Sequence, residues 1–249
     1  MKRSFPLLCL VLLATVACKQ VTPEEQIAKI GTYFSDHKNG YAAFLQQVDA
    51  TKRSDYLTLV QAKDLGAAEV WLLDTDEGKT LVAEYPGSKP KKGTEPQIAL
   101  VTASLDDPQA CAAALAVVEA FKKMKLRHAS TLRTAFYTPA SDSATVSGLD
   151  VLRDDLVEAN EAISYNLDLS TQRSQAPHTF LIEENLRFVS QFIEVLPPYF
   201  VPLGEYRFQQ GVYPNHNWPI NAATYRYRID PQSISSETAA LTTLVYLLN

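Results

Sequence analysis

Polar side chains that could bind a metal ion or a ligand follow several strand-like segments of the sequence. They stand at or after the ends of segments 98–103, 132–138 and 163–169, and they are Ser104, Asp106, Ser141, Asp142 and Asp168. Open α/β sheets bind ligands at the carboxyl ends of their strands. The polar corner after segment 98–103, with Ser104 and Asp106, is therefore predicted to lie where such sheets place their sites.

The elements that would position them are clearest around residues 98–125. The run 98–103 is apolar, contains Ile98 and Val101, and is too short for a helix, so it predicts a buried strand. Asp107 suits a helix N-cap and Pro108 suits the first helical position. An apolar face follows at helical spacing, made of Ala110, Ala113, Ala114, Val117, Val118 and Phe121. Cys111 lies on this helix, and we assign it a packing role.

The rest of the chain alternates between strand and helix patterns. Predicted strands cover 70–74, 80–85, 132–138, 163–169, 206–213 and 222–229. Predicted helices cover 23–37, 41–59, 149–160, 183–196 and 235–248. Such alternation predicts an α/β fold, a mostly parallel mixed sheet sandwiched by helices. With 46% hydrophobic residues and no repeat or linker, residues 26–249 are predicted to form one domain.

The amino-terminal residues have the pattern of an export signal. Lys2 and Arg3 precede an apolar run, 5–17, which is too short to span a membrane and ends in a small residue before Cys18. This resembles a bacterial lipobox, and the alternative is an ordinary signal peptide followed by an incidental cysteine. The resemblance implies removal of residues 1–17, a lipid on Cys18, a tether over 18–25 and an extracytoplasmic, membrane-anchored location on the periplasmic side or in the outer membrane.

Composition excludes several classes of function. Without residues 1–17 the chain has 21 basic and 28 acidic residues, a net charge of −7, which argues against nucleic-acid binding. Cys111 is then the one ordinary thiol, so neither a disulfide framework nor a cysteine metal site can form within the chain. The sequence also lacks a glycine-rich phosphate loop, an HExxH motif and a Gly-x-Ser-x-Gly elbow.

Five segments, taken in order, resemble the M28 family of zinc aminopeptidases and its glutaminyl cyclase relatives. Where that family has Ala-His-x-Asp, this chain has Ala103-Ser104-Leu105-Asp106, and the family helix opening falls on residues 109–113. The Glu-Glu strand end falls on residues 137–142, and the Asn-Leu-Asp strand falls on residues 166–169. The last family segment falls on residues 215–230. The resemblance implies the phosphorylase/hydrolase-like fold of zinc exopeptidases.

In that family two zinc ions are held by two histidines, a bridging Asp, a Glu and an Asp, with a second Glu as base. The corresponding residues here are Ser104, Arg226, Gln109, Ser141 or Asp142, and Asp168. Only Asp168 is a ligand of the expected type, although a catalytic zinc generally needs three. A fixed arginine cation would also repel zinc. We therefore expect no resident cofactor, and assign no catalytic residue.

The resemblance leaves a candidate remnant cleft made of Ser104, Asp106, Gln109, Ser141, Asp142, Asp168, His216 and Arg226. Arg226 would stand in for the metal by pairing with Asp168 or Asp106. Simpler roles also fit: Asp107 can cap the helix and Asp106 can bond backbone amides at the corner. Trp218, Tyr225 and Tyr227 fit either a groove or the core.

These observations predict a lipid-anchored cell-envelope protein that binds a peptide or another envelope ligand without catalysis. The alternative is a metal-dependent aminopeptidase or glutaminyl cyclase-type enzyme with an altered site, with zinc as its cofactor and Asp106, Asp142, Asp168 and His216 as the candidate ligands. A third possibility is a structural partner in a lipoprotein complex, which an exposed apolar patch would indicate.

Overall fold

The computed structural model describes residues 21–36, 65–76, 78–87, 97–126, 128, 130–139, 147–161, 163–171, 179–182, 207–209, 223–229 and 234–248. The helices are α1 (Pro23–Asp36), α2 (Pro108–Met124), α3 (Gly148–Glu158) and α4 (Ile234–Leu248). The strands are β1 (Glu69–Asp74), β2 (Lys79–Tyr85), β3 (Ile98–Ser104), β4 (Thr131–Tyr137), β5 (Ile163–Thr171), β6 (Thr179–Ile182), β7 (Arg207–Gln209) and β8 (Ala223–Ile229).

The described strands form one mixed sheet in the order β1-β2-β4-β3-β5-β8-β6-β7. Its centre is parallel, because β4, β3, β5 and β8 are neighbours that run in the same direction. The hairpin β1–β2 adds antiparallel strands at one side, and β6 joins β8 in antiparallel fashion at the other. The carboxyl ends of the four central strands therefore meet at one edge.

Helices cover both faces of this sheet. Apolar residues of β3, β4 and β5 pack on one face with α1, α2 and α4, among them Val101, Phe136 and Leu167. On the other face, α3 packs over β2, β3 and β4 through residues such as Leu152, Val82 and Leu100. This layering confirms the predicted α/β fold with a mixed, mostly parallel centre.

Local sequence signals account for several element ends. Thr22 and Glu25 exchange hydrogen bonds between side chain and backbone at the start of α1, with N–O distances of 3.3 and 3.2 Å. Ser147 and Asp150 do the same at the start of α3. Both pairs form a capping box, which supplies acceptors to first-turn amides that have no partner within the helix.

Two features differ from the sequence-based expectation. Strand β6 is not predicted, because its four residues directly precede a longer apolar pattern at helical spacing over 183–196. Helix α2 is buried almost all round, whereas its pattern indicates one apolar face. Residues off that face, such as Cys111, Leu115 and Ala120, are buried as well, because α2 belongs to the same core as α1 and α4.

Several predicted elements lie outside the described residues, namely the helices over 41–59 and 183–196 and most of the strand over 206–213. The division into a signal over 1–17, a tether over 18–25 and one domain over 26–249 stays a prediction. None of the described helices combines the length and apolar composition needed to cross a membrane.

Candidate functional site

The corner after β3 brings Ser104, Asp106 and Asp107 together through hydrogen bonds. The Asp106 amide donates to Ser104 Oγ at 3.2 Å and the Asp107 amide donates to the Ser104 carbonyl at 2.9 Å. Cys111 Sγ donates to the same carbonyl at 3.2 Å. Ser104 is half-buried, whereas Asp106 is exposed. The corner therefore turns tightly, and Asp106 lies at its solvent side.

Asp107 caps α2, as predicted, and also ties two strand ends together. Its Oδ1 accepts from the Ala110 amide at 3.1 Å. Its Oδ2 accepts from the Thr171 amide at 2.6 Å, and the Thr171 hydroxyl donates to Oδ1. Since Thr171 ends β5, this carboxylate joins the β3–α2 corner to the neighbouring strand. Thr171 carries no local sequence signal for this role.

Asp168 is buried, with 5% of its surface exposed, and lies three residues before the end of β5. Its Oδ1 accepts from the hydroxyl of Thr102 at 3.1 Å and from the hydroxyl of Tyr137 at 3.2 Å. Asp168 thus has hydroxyl partners on two neighbouring strands, while its place in a ligand-binding cleft stays a prediction. Sequence reasoning does not find the two hydroxyls, because they come from β3 and β4 and meet Asp168 only through strand register.

Strand register also places Arg226 beside Asp168. The two residues are partners in the parallel pair β5–β8, and Thr102 is the partner of Asp168 on the β3 side. The side chain of Arg226 is outside the described part, and so are the candidates Ser141, Asp142 and His216. Gln109 lies half-buried in the first turn of α2.

A zinc centre of the M28 type does not fit the described residues. Protein zinc is held by Cys, His, Asp or Glu, and neither the Ser104 hydroxyl nor the Gln109 amide belongs to that set. Within the described residues, no three such side chains come close enough to hold a metal ion. Of the alternative ligand set, Asp106 is exposed and Asp168 is buried, while the other two residues lie outside the described part.

The Cys111 thiol near the corner is not suited to act as a nucleophile. Cys111 is 2% exposed, and burial, with a smaller effect of the nearby Asp107 carboxylate, raises its pKa well above the ordinary thiol value. A thiol that stays protonated at neutral pH is a poor nucleophile. This agrees with the predicted packing role.

Solved structures with a similar fold include Zn-dependent exopeptidases, an aminopeptidase and a glutaminyl cyclase. The aminopeptidase LapA from Legionella pneumophila matches with a TM-score of 0.63 at 9% identity, over 92% of this chain and 75% of that chain. The chain has the zinc exopeptidase-like fold. This confirms the fold that the sequence resemblance implies.

Two further structures show the same zinc exopeptidase-like fold. A Zn-dependent exopeptidase from Parabacteroides distasonis matches with a TM-score of 0.57 at 13% identity, over 84% of this chain and 97% of that chain. The glutaminyl cyclase of Macrostomum lignano matches with a TM-score of 0.56 at 11% identity, over 90% of each chain. No protein-family model and no curated protein sequence matches the chain. At these identities the likeness concerns the fold alone.

Proposed function

We propose that this protein is a lipid-anchored, extracytoplasmic member of the zinc exopeptidase-like fold that binds a peptide or another envelope ligand without catalysis. The observation that carries the proposal is how Asp168 is bound. Among the residues at the expected zinc-ligand positions, Asp168 alone is of the residue type found there in the family. Its carboxylate is buried and is bound by two hydroxyls of the chain itself. Ser104 and Gln109 stand where other zinc ligands are expected, and neither is a usual zinc ligand.

Arg226 is the proposed replacement for the metal charge. A buried carboxylate needs a hydrogen-bonded or charged partner, since an unpaired buried charge costs several kcal/mol. The β5–β8 register puts Arg226 directly beside Asp168, which supports this pairing. Arg226→His is then expected to destabilise the protein, and unchanged stability of this variant would contradict the pairing.

The carboxyl edge of the sheet is the proposed binding surface. Ligands of open α/β sheets bind outside the carboxyl ends of the strands, and half-buried Ser104 and Gln109 lie there. A peptide end is the ligand that we favour, because two of the structures that share the fold are named as an aminopeptidase and an exopeptidase. The lipid on Cys18 would hold this surface near the membrane.

Zinc content tests the proposal. The full chain is purified in detergent without chelator, incubated with zinc and dialysed, and its bound zinc and melting temperature are measured beside those of Asp168→Asn. We expect well under one zinc ion per chain, and we expect zinc to change the melting temperatures of the two proteins equally. One or two zinc ions that are lost in Asp168→Asn would overturn the proposal and favour a metal-dependent aminopeptidase or glutaminyl cyclase.

A binding measurement tests the ligand class. Short peptides with free or blocked ends are titrated into the full chain, and Gln109→Ala serves as the variant of the proposed surface. We expect saturable binding that leaves the peptide intact and is weaker in the variant. Cleavage or cyclisation of the peptide would contradict a function without catalysis.

A further inference from the structure

Beneath the carboxyl edge lies a group of three buried polar side chains that the proposed function does not use as a set. Thr102 and Asn166 are fully buried and Asp168 is 5% exposed. Asn166 and Asp168 are two residues apart on β5, so they lie on the same face of the sheet. Thr102 lies opposite Asp168 on β3.

The hydroxyl of Thr102 links the other two side chains. Its Oγ1 is 3.1 Å from Asp168 Oδ1 and 3.3 Å from the Asn166 side-chain oxygen. A hydroxyl carries one hydrogen and can give a full hydrogen bond to only one of these acceptors. Because Asp168 Oδ1 is the nearer of the two acceptors, we assign the hydrogen to the bond with Asp168.

That assignment decides which way the Asn166 amide points. With the Asn166 oxygen towards Thr102, two acceptors would face each other, because the Thr102 hydroxyl donates its hydrogen to Asp168. The buried Nδ2 of Asn166 also has no acceptor within the described residues in this orientation. Turning the amide over gives Nδ2–H an acceptor in Thr102 Oγ1. The two orientations differ only in the exchange of oxygen and nitrogen.

We infer that these residues form a directed hydrogen-bond chain in which Asn166 donates to Thr102, and Thr102 and Tyr137 both donate to Asp168. These hydrogen bonds hold the Asp168 carboxyl in place with donors from β3 and β4. Thr102 and Tyr137 are its positioning residues. This inference goes beyond the proposed function and does not require that a ligand binds.

Double-mutant cycles in the unfolding equilibrium test the two hydrogen bonds that end on Asp168. The variants are Thr102→Val, Tyr137→Phe and Asp168→Ala, singly and as the two pairs that include Asp168, measured on the full chain in detergent with EDTA. A hydrogen bond to a buried charge is worth about 1.5–3 kcal/mol, which is a coupling of about 10- to 150-fold. Coupling of about fivefold or more in both pairs supports the inference, and a smaller value in either pair overturns it.

A matched threonine serves as control. Thr134 is as buried as Thr102, but its hydroxyl donates to the backbone carbonyl of Ala83 at 3.4 Å. Thr134→Val is expected to be additive with Asp168→Ala, within about twofold. If Asp168→Ala does not fold, Asp168→Asn replaces it, and coupling of about threefold or more is then required because a neutral acceptor keeps part of each bond. EDTA keeps metal out of this test, so its result does not depend on the outcome of the zinc measurement.

Discussion

Arg133 is a buried cation on β4, and its guanidinium contacts three neighbouring side chains. Its guanidinium donates to Glu161 through both terminal nitrogens and to Glu84 at 2.6 Å, and it lies over the ring of Trp71 at 5.1 Å from the centroid. Burial alone lowers its pKa, but the bonds to Glu161 and Glu84 outweigh burial and raise it. Arg133 therefore stays charged and joins β2, β4 and the segment after α3.

Replacing this cation is expected to cost much of the protein's stability. Arg133→Leu leaves two carboxylates without their partner, and we expect a loss of about 3 kcal/mol in the free energy of unfolding. That value is the lower end for breaking a buried pair, because the Glu161 side chain is 35% exposed. Urea denaturation measures it. The triple variant Arg133→Leu, Glu84→Gln, Glu161→Gln is the control and should recover most of the loss; no recovery would show that packing alone is responsible.

Asp155 on α3 is expected to make the stability of the protein weakly dependent on pH. Burial, then the nearby Glu161, and to a smaller extent Glu158, raise its pKa above the ordinary value of 3.8, although Arg133 partly offsets them. A raised carboxyl pKa means that the ionised form lowers stability at neutral pH. This penalty disappears as the pH falls through the folded pKa towards the unfolded one.

Asp155→Asn is therefore expected to stabilise the protein at pH 7. The gain should be below about 0.5 kcal/mol, the usual range for a partly exposed position. It should shrink as the pH is lowered from 7 to 4, which urea denaturation at several pH values measures. A gain that stays constant over this range would contradict the role of the carboxyl charge.

At the scale of elements, hydrogen bonds join the residue after β4 and the start of α3 to β2. The Gly148 amide donates to the Thr138 carbonyl at 2.8 Å, and the Lys79 amide donates to the Thr138 hydroxyl at 2.9 Å. Thr80 donates its hydroxyl to the Gly148 carbonyl. These bonds place the start of α3 directly against β2, where there is no room for a side chain on Gly148.

Two glycine-to-alanine variants test this close approach. In Gly148→Ala the new β-carbon would overlap the backbone oxygen of Lys79, so we expect a loss of about 1–3 kcal/mol. Gly31→Ala on α1 is the matched control, since no atom lies within 4 Å of its β-carbon position. It should gain about 0.5–1 kcal/mol through helix propensity. Equal effects in thermal unfolding would contradict the steric account.

At the scale of the whole molecule, the predicted lipid anchor on Cys18 determines whether the protein is found with the membrane. Cys18→Ser removes the proposed lipidation site, and we expect the chain to move from the membrane fraction to the soluble fraction. Each buried lipid methylene contributes about 0.8 kcal/mol to membrane binding. Cell fractionation and the mass of the intact protein measure the change. Cys111→Ala is the control and should stay in the membrane fraction; loss of both variants from it would contradict a role specific to Cys18.

Sequence by itself determined the fold class and most of the described elements. Hydrophobic periodicity and caps are local signals, and Asp107 followed by Pro108 marks the start of α2 without knowledge of the fold. Strand β6 escaped prediction because four residues carry little periodic signal, and its place next to β8 depends on distant pairing.

The candidate site was only partly determined by sequence. Asp168 and Ser104 can be found from strand ends, but the hydroxyl partners of Asp168 are 66 and 31 residues away along the chain. Register between parallel strands brings Thr102 and Tyr137 to Asp168, and register is a property of the assembled sheet. Tertiary structure alone therefore decided that Asp168 is bound by hydroxyls, because those contacts exist only once β3, β4 and β5 lie side by side.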